Sequence, residues 1–361
     1  MKKYNIALVG PGQMGKVHLS IINENLNSNI GAIIAPESEE NYSIAKANGV
    51  NLFGDIEACL KGNNIDGIII SSPNEFHSDH LDACIHNKIP ALIEKPLCSN
   101  LNDAINMLNK AKNLKDKILV GHHRTYSGIL LAAKKLISEG GLGRPVSIVA
   151  SAQFLKPDSY FTEAPWRKEK GGGPILINLI HEISVLRMLM GEISEVSGMI
   201  SNSTRNHAVE DTVAINLRFV NGALGTIMLS DCAAAPDSWE HTSGENTVYP
   251  IYKNYDCYHI SGTDGSIGVP TLSYRFFKNE DKKSWLTPFK HVDIEYKKVN
   301  PLVEQFNHFL RVISGEDLPK VTLDDGFLNL LVLEAIRKSA ATAQVIELNK
   351  FFREYSLETI K

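Results

Sequence analysis

Ile6-Ala7-Leu8-Val9-Gly10-Pro11-Gly12-Gln13-Met14-Gly15 is the stretch that decides the fold. Four apolar residues read as a buried strand. The glycines after it keep the G-x-G-x-x-G spacing and open onto a helix beginning near Met14. In that setting the glycines have physical roles, which are a tight turn, close approach of a pyrophosphate, and packing of helix on strand. The pyrophosphate then lies at a helix N-terminus, where unpaired N–H groups and the helix dipole favour an anion. Working outward, strands are expected at 5–10, 31–35, 66–71, 91–94 and 118–121, separated by helix-length segments. That alternation implies βαβ units and a parallel sheet.

After Pro145 the pattern changes to longer runs rich in β-branched residues, at 146–154, 195–201, 212–219 and 223–230. Asn221-Gly222 marks a hairpin between the last two. A helix over 175–190 interrupts the runs, and two more are expected at 302–314 and 325–342. The fold class is therefore α/β: a dinucleotide-binding domain over 1–123, then an α+β domain over 124–361 with a large, mostly antiparallel open sheet.

The chain has 361 residues, 43% hydrophobic and 22% charged, as in a globular protein with a sizeable core. A net charge of −4 gives no reason to expect nucleic acid or an anionic membrane as partner. Lys282-Lys283 and Lys297-Lys298 read as solvated surface. The five cysteines have no C-x-x-C pairing and read as reduced, packed thiols. Met1-Lys2-Lys3-Tyr4 runs straight into a strand, and no segment has the ~18 apolar residues of a spanning helix. A cytoplasmic protein is expected.

Several residues can carry chemistry. Lys95, in Glu94-Lys95-Pro96, arrives just past the end of a strand, where doubly wound sheets bind their ligands. Ser71-Ser72-Pro73-Asn74 falls where the nicotinamide half of a dinucleotide lies, and leads to His77, whose alternative is a solvent-facing helix start. Gly121-His122-His123-Arg124 also ends a strand at the crevice; no acidic or cysteine cluster completes a metal site there, so no metal is expected. His181 follows Gly171-Gly172-Gly173-Pro174 and an apolar helical face. Imidazole titrates near working pH, so it can take a hydroxyl proton as hydride leaves the same carbon. The alternative is a core histidine capped by a carbonyl. Asn178 shares its helix face and suits either substrate hydroxyls or a packed polar place at the helix start. Tyr160, Trp166 and Arg167 fall in a loop where an arginine can clamp a phosphate or substrate oxygen, or pack between domains. The long segment 232–258, with Trp239 and several tyrosines, suits either a sugar-like ligand or an oligomer contact.

Together these residues resemble the Gfo/Idh/MocA family of NAD(P)-dependent oxidoreductases. The likeness spans nearly the whole chain and rests on the glycine fingerprint, Ser72-Pro73 with His77, Glu94-Lys95-Pro96, Gly121-His122-His123-Arg124, Gly143-Arg144-Pro145 and the glycine run before His181. It implies a Rossmann domain and a C-terminal domain whose open sheet makes homodimers or homotetramers. It also implies catalysis by Lys95 and His181 on secondary alcohols of sugars, cyclitols or related compounds. The cofactor site is expected at Gly10, Gly12, Gln13, Met14, Gly15, Ser71, Ser72, Pro73, Asn74, His77, Glu94, Lys95, His123 and Arg167. The substrate site is expected at Lys95, His123, Tyr160, Asn178, His181 and Trp239.

Two positions depart from the family pattern. Ile177 stands where an aspartate usually precedes the histidine by four residues, and an isoleucine cannot orient a hydroxyl; Asn178 is its partial substitute. Ala35-Pro36-Glu37-Ser38 lacks the usual acidic residue for the ribose, and offers no basic one for a 2′-phosphate, which favours NAD and leaves NADP open. Two rival readings stay in play. One is a dinucleotide-binding sensor without catalysis; the other is an enzyme that oxidises and re-reduces one sugar with no net NADH release.

Overall fold

Six strands make the first sheet: β1 (Tyr4–Val9), β2 (Ser28–Ile34), β3 (Leu52–Phe53), β4 (Gly67–Ile70), β5 (Ala91–Ile93) and β6 (Ile118–Val120). In the computed structural model, which describes residues 3–277 and 283–354, they run in the order β3-β2-β1-β4-β5-β6. Every pair is parallel. Met1, Lys2 and Lys282 lie outside the described residues. Ile68-Ile69-Ile70 and Ala91-Leu92-Ile93 are wholly buried, as continuous apolar runs must be when helices cover both faces of a parallel sheet. The strand order reverses between β1 and β4, which is where such sheets open a crevice. The two-residue β3 is too short to show in the sequence pattern.

The chain divides into two compact units: Met1–His123 with Pro301–Leu330, and Arg124–Asn300 with Leu331–Lys361. Residues 301–330, expected in the second domain, thus lie in the first. The reason is local packing. A Cβ on Gly67 would meet Ile313 Cδ1 at 2.6 Å and Phe309 Cζ at 3.1 Å, so the apolar face of helix Pro301–Ser314 sits directly on β4.

The second unit carries β7 (Pro145–Gln153), β8 (Ile193–Ser201), β9 (Thr212–Phe219), β10 (Leu224–Ser230), β11 (Tyr258–Gly262), β12 (Gly265–Val269), β13 (Ser273–Phe276), β14 (Lys290–Asp293) and β15 (Ile346–Glu347). Their order is β14-β13-β12-β11-β7-β10-β9-β8-β15. All pairs are antiparallel except β7 with β10. Val213, Ile215, Leu217 and Phe219 are buried while the residues between them are exposed, the period of two that a one-sided sheet requires. Asn221-Gly222 makes the expected hairpin, with Gly222 at φ +89°. Strands β11 to β14 were not expected; only Asp264-Gly265, at the β11–β12 turn, announces them. The segment 232–258 holds one short helix, Trp239–Thr242. Among the described residues no helix is long and apolar enough to cross a membrane.

Candidate active site

The glycine turn joins β1 to helix Gln13–Glu24, and its three glycines face three different surroundings. Gly10 has φ +78°, and a Cβ there would strike Ser72 N and Cα at 2.7 Å. On Gly15 it would strike Gly10 O at 2.1 Å. On Gly12, the N-cap, it meets nothing within 4 Å, and no side chain caps the helix. The first and third glycines thus serve the protein's own packing, and the second leaves bare backbone with unpaired N–H groups. That cradle fits a dinucleotide pyrophosphate. Gln13 and Met14 are the first residues of the helix. Ser71 Oγ lies 3.0 Å from Val9 O and 2.8 Å from Gly10 O, holding the end of β4 to the turn.

His77 and Glu94, both expected among the cofactor contacts, are occupied by the protein itself. His77 is buried, with Nδ1 2.9 Å from Pro96 O and Nε2 2.9 Å from Ser72 O. Burial lowers its pKa, against the pull of those carbonyls and Glu94. The ring therefore pins the loops after β4 and β5 to each other. Pro73 and Asn74 stand between them, Asn74 opening a short 3₁₀ turn. Glu94 is buried too, with Oε1 2.8 Å from His18 Nε2. Burial would raise this carboxyl, but the hydrogen bond and charge of His18, helped by Lys95 and His123, hold it at about 2. His18, on the helix after the glycines, carried no signal in the sequence. Lys95 and His123 are half-buried. His122 is buried, its Nε2 3.1 Å from Asn329 Nδ2.

In the second unit the expected helix over 175–190 is present, but its first turn is wound as a π-helix, Ile175–Leu179, before the α-helix Ile180–Met190. Such turns recur at functional sites, and this one holds Ile177 and Asn178, with His181 just beyond. Of the glycine run before it, Gly171 borders open space at φ +94° while the other two are packed against the protein. A Cβ on Gly172 would meet Trp166 O at 2.3 Å, and on Gly173 it would meet Glu210 Oε1 at 2.4 Å. Glu210 in turn accepts from Ile175 N at 2.9 Å, a carboxylate at a helix start.

Next to His181, Glu182 is buried in a charged cluster. Arg124 donates to Glu182 and to Glu240, each at 2.6 Å, and the Tyr258 hydroxyl donates to Glu182. Burial raises the Glu182 carboxyl, while Glu240, also desolvated, is lowered by Arg124. Trp239, expected to stack on substrate, is only 4% exposed; its ring stacks on Tyr258 at 6.0 Å with Arg124 5.8 Å away. Its face is spent on the core. The tyrosines left exposed in that segment are Tyr249, Tyr252 and Tyr255.

Asn178, Tyr160 and Arg167 are brought together around Lys156, which the sequence did not single out. Lys156 Nζ donates to Asn178 Oδ1 at 2.8 Å and lies 3.5 Å from Asp231. Its ammonium is 4.8 Å from the Tyr160 ring centroid, and the Arg167 guanidinium is 3.7 Å from the same ring.

Sheet order and glycine cradle together define a dinucleotide-binding α/β protein of the Rossmann type. Residues 4–122 match the model "Oxidoreductase family, NAD-binding Rossmann fold", and residues 130–268 match "GFO/IDH/MocA C-terminal domain". The chain belongs to the GFO/IDH/MocA family of NAD-binding oxidoreductases. It is 26% identical to 2,7-anhydro-N-acetylneuraminate hydratase of Escherichia coli K12, over 77% of this chain and 74% of that one. It is 25% identical to 1,5-anhydro-D-fructose reductase of Ensifer adhaerens, over 88% and 90%. An oxidoreductase from Agrobacterium radiobacter, solved with NAD+, L-tartaric acid and magnesium, shares the fold with a TM-score of 0.78 at 17% identity, over 97% and 99%.

Proposed function

We propose that this protein is an NAD-dependent oxidoreductase acting on a secondary hydroxyl, or the matching ketone, of a carbohydrate-like molecule. The observation that carries the reading is Gly12, whose missing side chain leaves open space at a bare helix N-terminus inside a sheet of Rossmann order. The relatives' names support the substrate class, one being a reductase of an anhydro sugar. When bound, the nicotinamide accepts the hydride from the carbinol carbon. The protein's share is orientation and charge: Lys95 as an ammonium stabilises the developing alkoxide, and His181 takes up the hydroxyl proton. Asn178 supplies an amide where the family pattern has an aspartate one residue earlier. The face of the second sheet that exposes Val149, Leu224 and Met228 suits a second copy of the chain in a dimer or tetramer, and the free thiols suit the cytoplasm.

The test is NADH absorbance with purified protein, NAD or NADP, and a panel of sugars, cyclitols and sugar acids. Reduction of NAD by one compound establishes the dehydrogenase. A second reading is favoured by the hydratase among the relatives, since hydration has no net redox change. It predicts conversion of substrate with retained cofactor and no NADH release. NAD binding with conversion of no compound by either route points instead to a sensor.

A further inference from the structure

We propose that Lys156, Arg167 and the amide of Asn178 form a subsite for a carboxylate, so that the substrate is a hydroxy acid of the sugar-acid type rather than a neutral polyol. This deepens the oxidoreductase reading and rests on it for the reaction.

Charge is the first argument. Asp231 is the buried carboxylate that Lys156 and Arg205 share; Asp211, also buried, accepts from the backbone of Thr204 and Arg205, and Asp158 lies 3.7 Å from Arg205. Arg205 holds Asp231 closely, Nε to Oδ1 at 2.8 Å, and spends a second nitrogen on the carbonyls of Lys156 and Asp231. Lys156 is left at 3.5 Å from the other oxygen, while its side chain is 11% exposed. Arg167 has no ion pair among the described residues; it donates to Tyr160 O at 2.7 Å, and its Nε is buried without a hydrogen-bond partner. Arg167 is thus the cation beside Tyr160 that has no paired carboxylate, and a desolvated cation without a counter-charge is costly. An anion entering here relieves that cost.

Hydrogen-bond polarity is the second argument. An ammonium only donates, so the 2.8 Å contact fixes Asn178 with its oxygen toward Lys156 and its NH2 group turned away. The amide NH2 makes no hydrogen bond among the described residues. Lys156, Arg167 Nε and Asn178 Nδ2 thus offer donors and no spare acceptor. A polyol hydroxyl needs a partner for its own proton, whereas a carboxylate accepts only. Asn178 lies in the π turn three residues before His181, which puts the anchor beside the residue assigned to proton transfer. Burial lowers Lys156 to about 8, mainly against the pull of Asp231, so the site holds its ammonium less firmly than an exposed lysine would.

The experiment compares matched acid and neutral probes, glucuronate with glucose, gluconate with glucitol and tartrate with threitol, in the wild type and in Lys156→Met and Arg167→Gln. Both turnover with NAD and calorimetric binding to the NAD-loaded protein are measured, with melting temperature and NAD affinity as controls for folding. The expected result is that an acid binds and its neutral partner does not, and that either variant weakens acid binding at least ~10-fold, about 1.4 kcal/mol, with NAD affinity unchanged in Lys156→Met, which lies outside the expected cofactor site. Lys156→Arg, which keeps the charge, retains part of the binding should Lys156→Met fail to fold. Acid binding lost in the variants without any turnover supports the subsite while sinking the dehydrogenase reading. Turnover of neutral compounds as good as that of the acids, or no acid bound at all, overturns the subsite and leaves the dehydrogenase standing or not on its own.

Discussion

His18 Nε2 lies 2.8 Å from Glu94 Oε1, so the helix that begins at the glycine turn is tied by a buried ionic hydrogen bond to the residue before Lys95. His18 is 1% exposed, and water cannot substitute for either partner. His18→Ala therefore leaves the buried carboxylate with the Lys95 N–H, at 3.2 Å, as its remaining hydrogen bond among the described residues and should cost ~3 kcal/mol in urea unfolding at neutral pH. A loss under 1 kcal/mol would show the pair to be incidental.

Acid sensitivity follows from the same carboxyl. Its pKa is depressed from 4.5 to about 2, so the stability it contributes is complete above pH 4.5 and is lost as pH falls toward 2. Glu94→Gln has no such group. The stability difference between wild type and Glu94→Gln should shrink across that window; a difference that is flat with pH contradicts the assignment.

The glycines of the turn should separate by phenotype. Gly15→Ala puts a methyl 2.1 Å from Gly10 O and should lower the melting temperature. Gly12→Ala meets no protein atom and should cost about 1 kcal/mol or less of stability, yet weaken NAD binding by ~10-fold or more where the pyrophosphate must approach. Isothermal titration with NAD decides between these; unaltered affinity in Gly12→Ala would move the cofactor elsewhere.

For the chemical step, Lys95→Met and His181→Gln should each lower kcat by ~10²–10⁴ with NAD affinity retained, the range of positioned proton-transfer groups. Near wild-type turnover in either removes that residue from the mechanism.

Arg124 pairs with the buried Glu182 and the half-buried Glu240 at once, at 2.6 Å each. Arg124→Lys cannot span both, because a lysine lacks the guanidinium fork. It should destabilise nearly as much as Arg124→Ala, roughly 3–5 kcal/mol. Chemical denaturation of the two variants side by side checks this.

The pH dependence of acid binding is set by Lys156 and the groups around it, Asp231, Arg205, Glu240, Asn178 and Tyr160. With the ammonium at about 8, affinity for a carboxylate should be constant below pH 7 and fall as pH rises through 8. Lys156→Arg should move that fall beyond the accessible range. A profile identical in the two proteins rules out the lysine.

What the sequence made legible was whatever local spacing controls. The turn Gly10 to Gly15, the buried runs of the first sheet and the helix carrying His181 all show in consecutive residues. Contacts between distant residues did not show. His18 is one histidine in an ordinary amphipathic helix until Glu94 reaches it from 76 positions away. Lys156 follows a strand with no motif of its own. Gly172 and Gly173 could be seen to need close approach, but not that the neighbours were Trp166 and Glu210. Trp239 looked available because its segment is polar; burial against Tyr258 is a tertiary fact. Strands β11 to β14 fell below notice because only Asp264-Gly265 punctuates them.

The strand order of the second sheet also sets a schedule for synthesis. Ser147 of β7 pairs with Leu224 on one side and Ser261 on the other, so this central strand leaves the ribosome long before either neighbour exists. At ~5–20 residues per second, the interval to Leu224 alone is on the order of 4–15 s. The first unit waits longer, because the helix that covers Gly67 begins only at Pro301. A nascent chain released before that point carries two unfinished cores, which makes it a natural client for chaperones that bind exposed apolar strands.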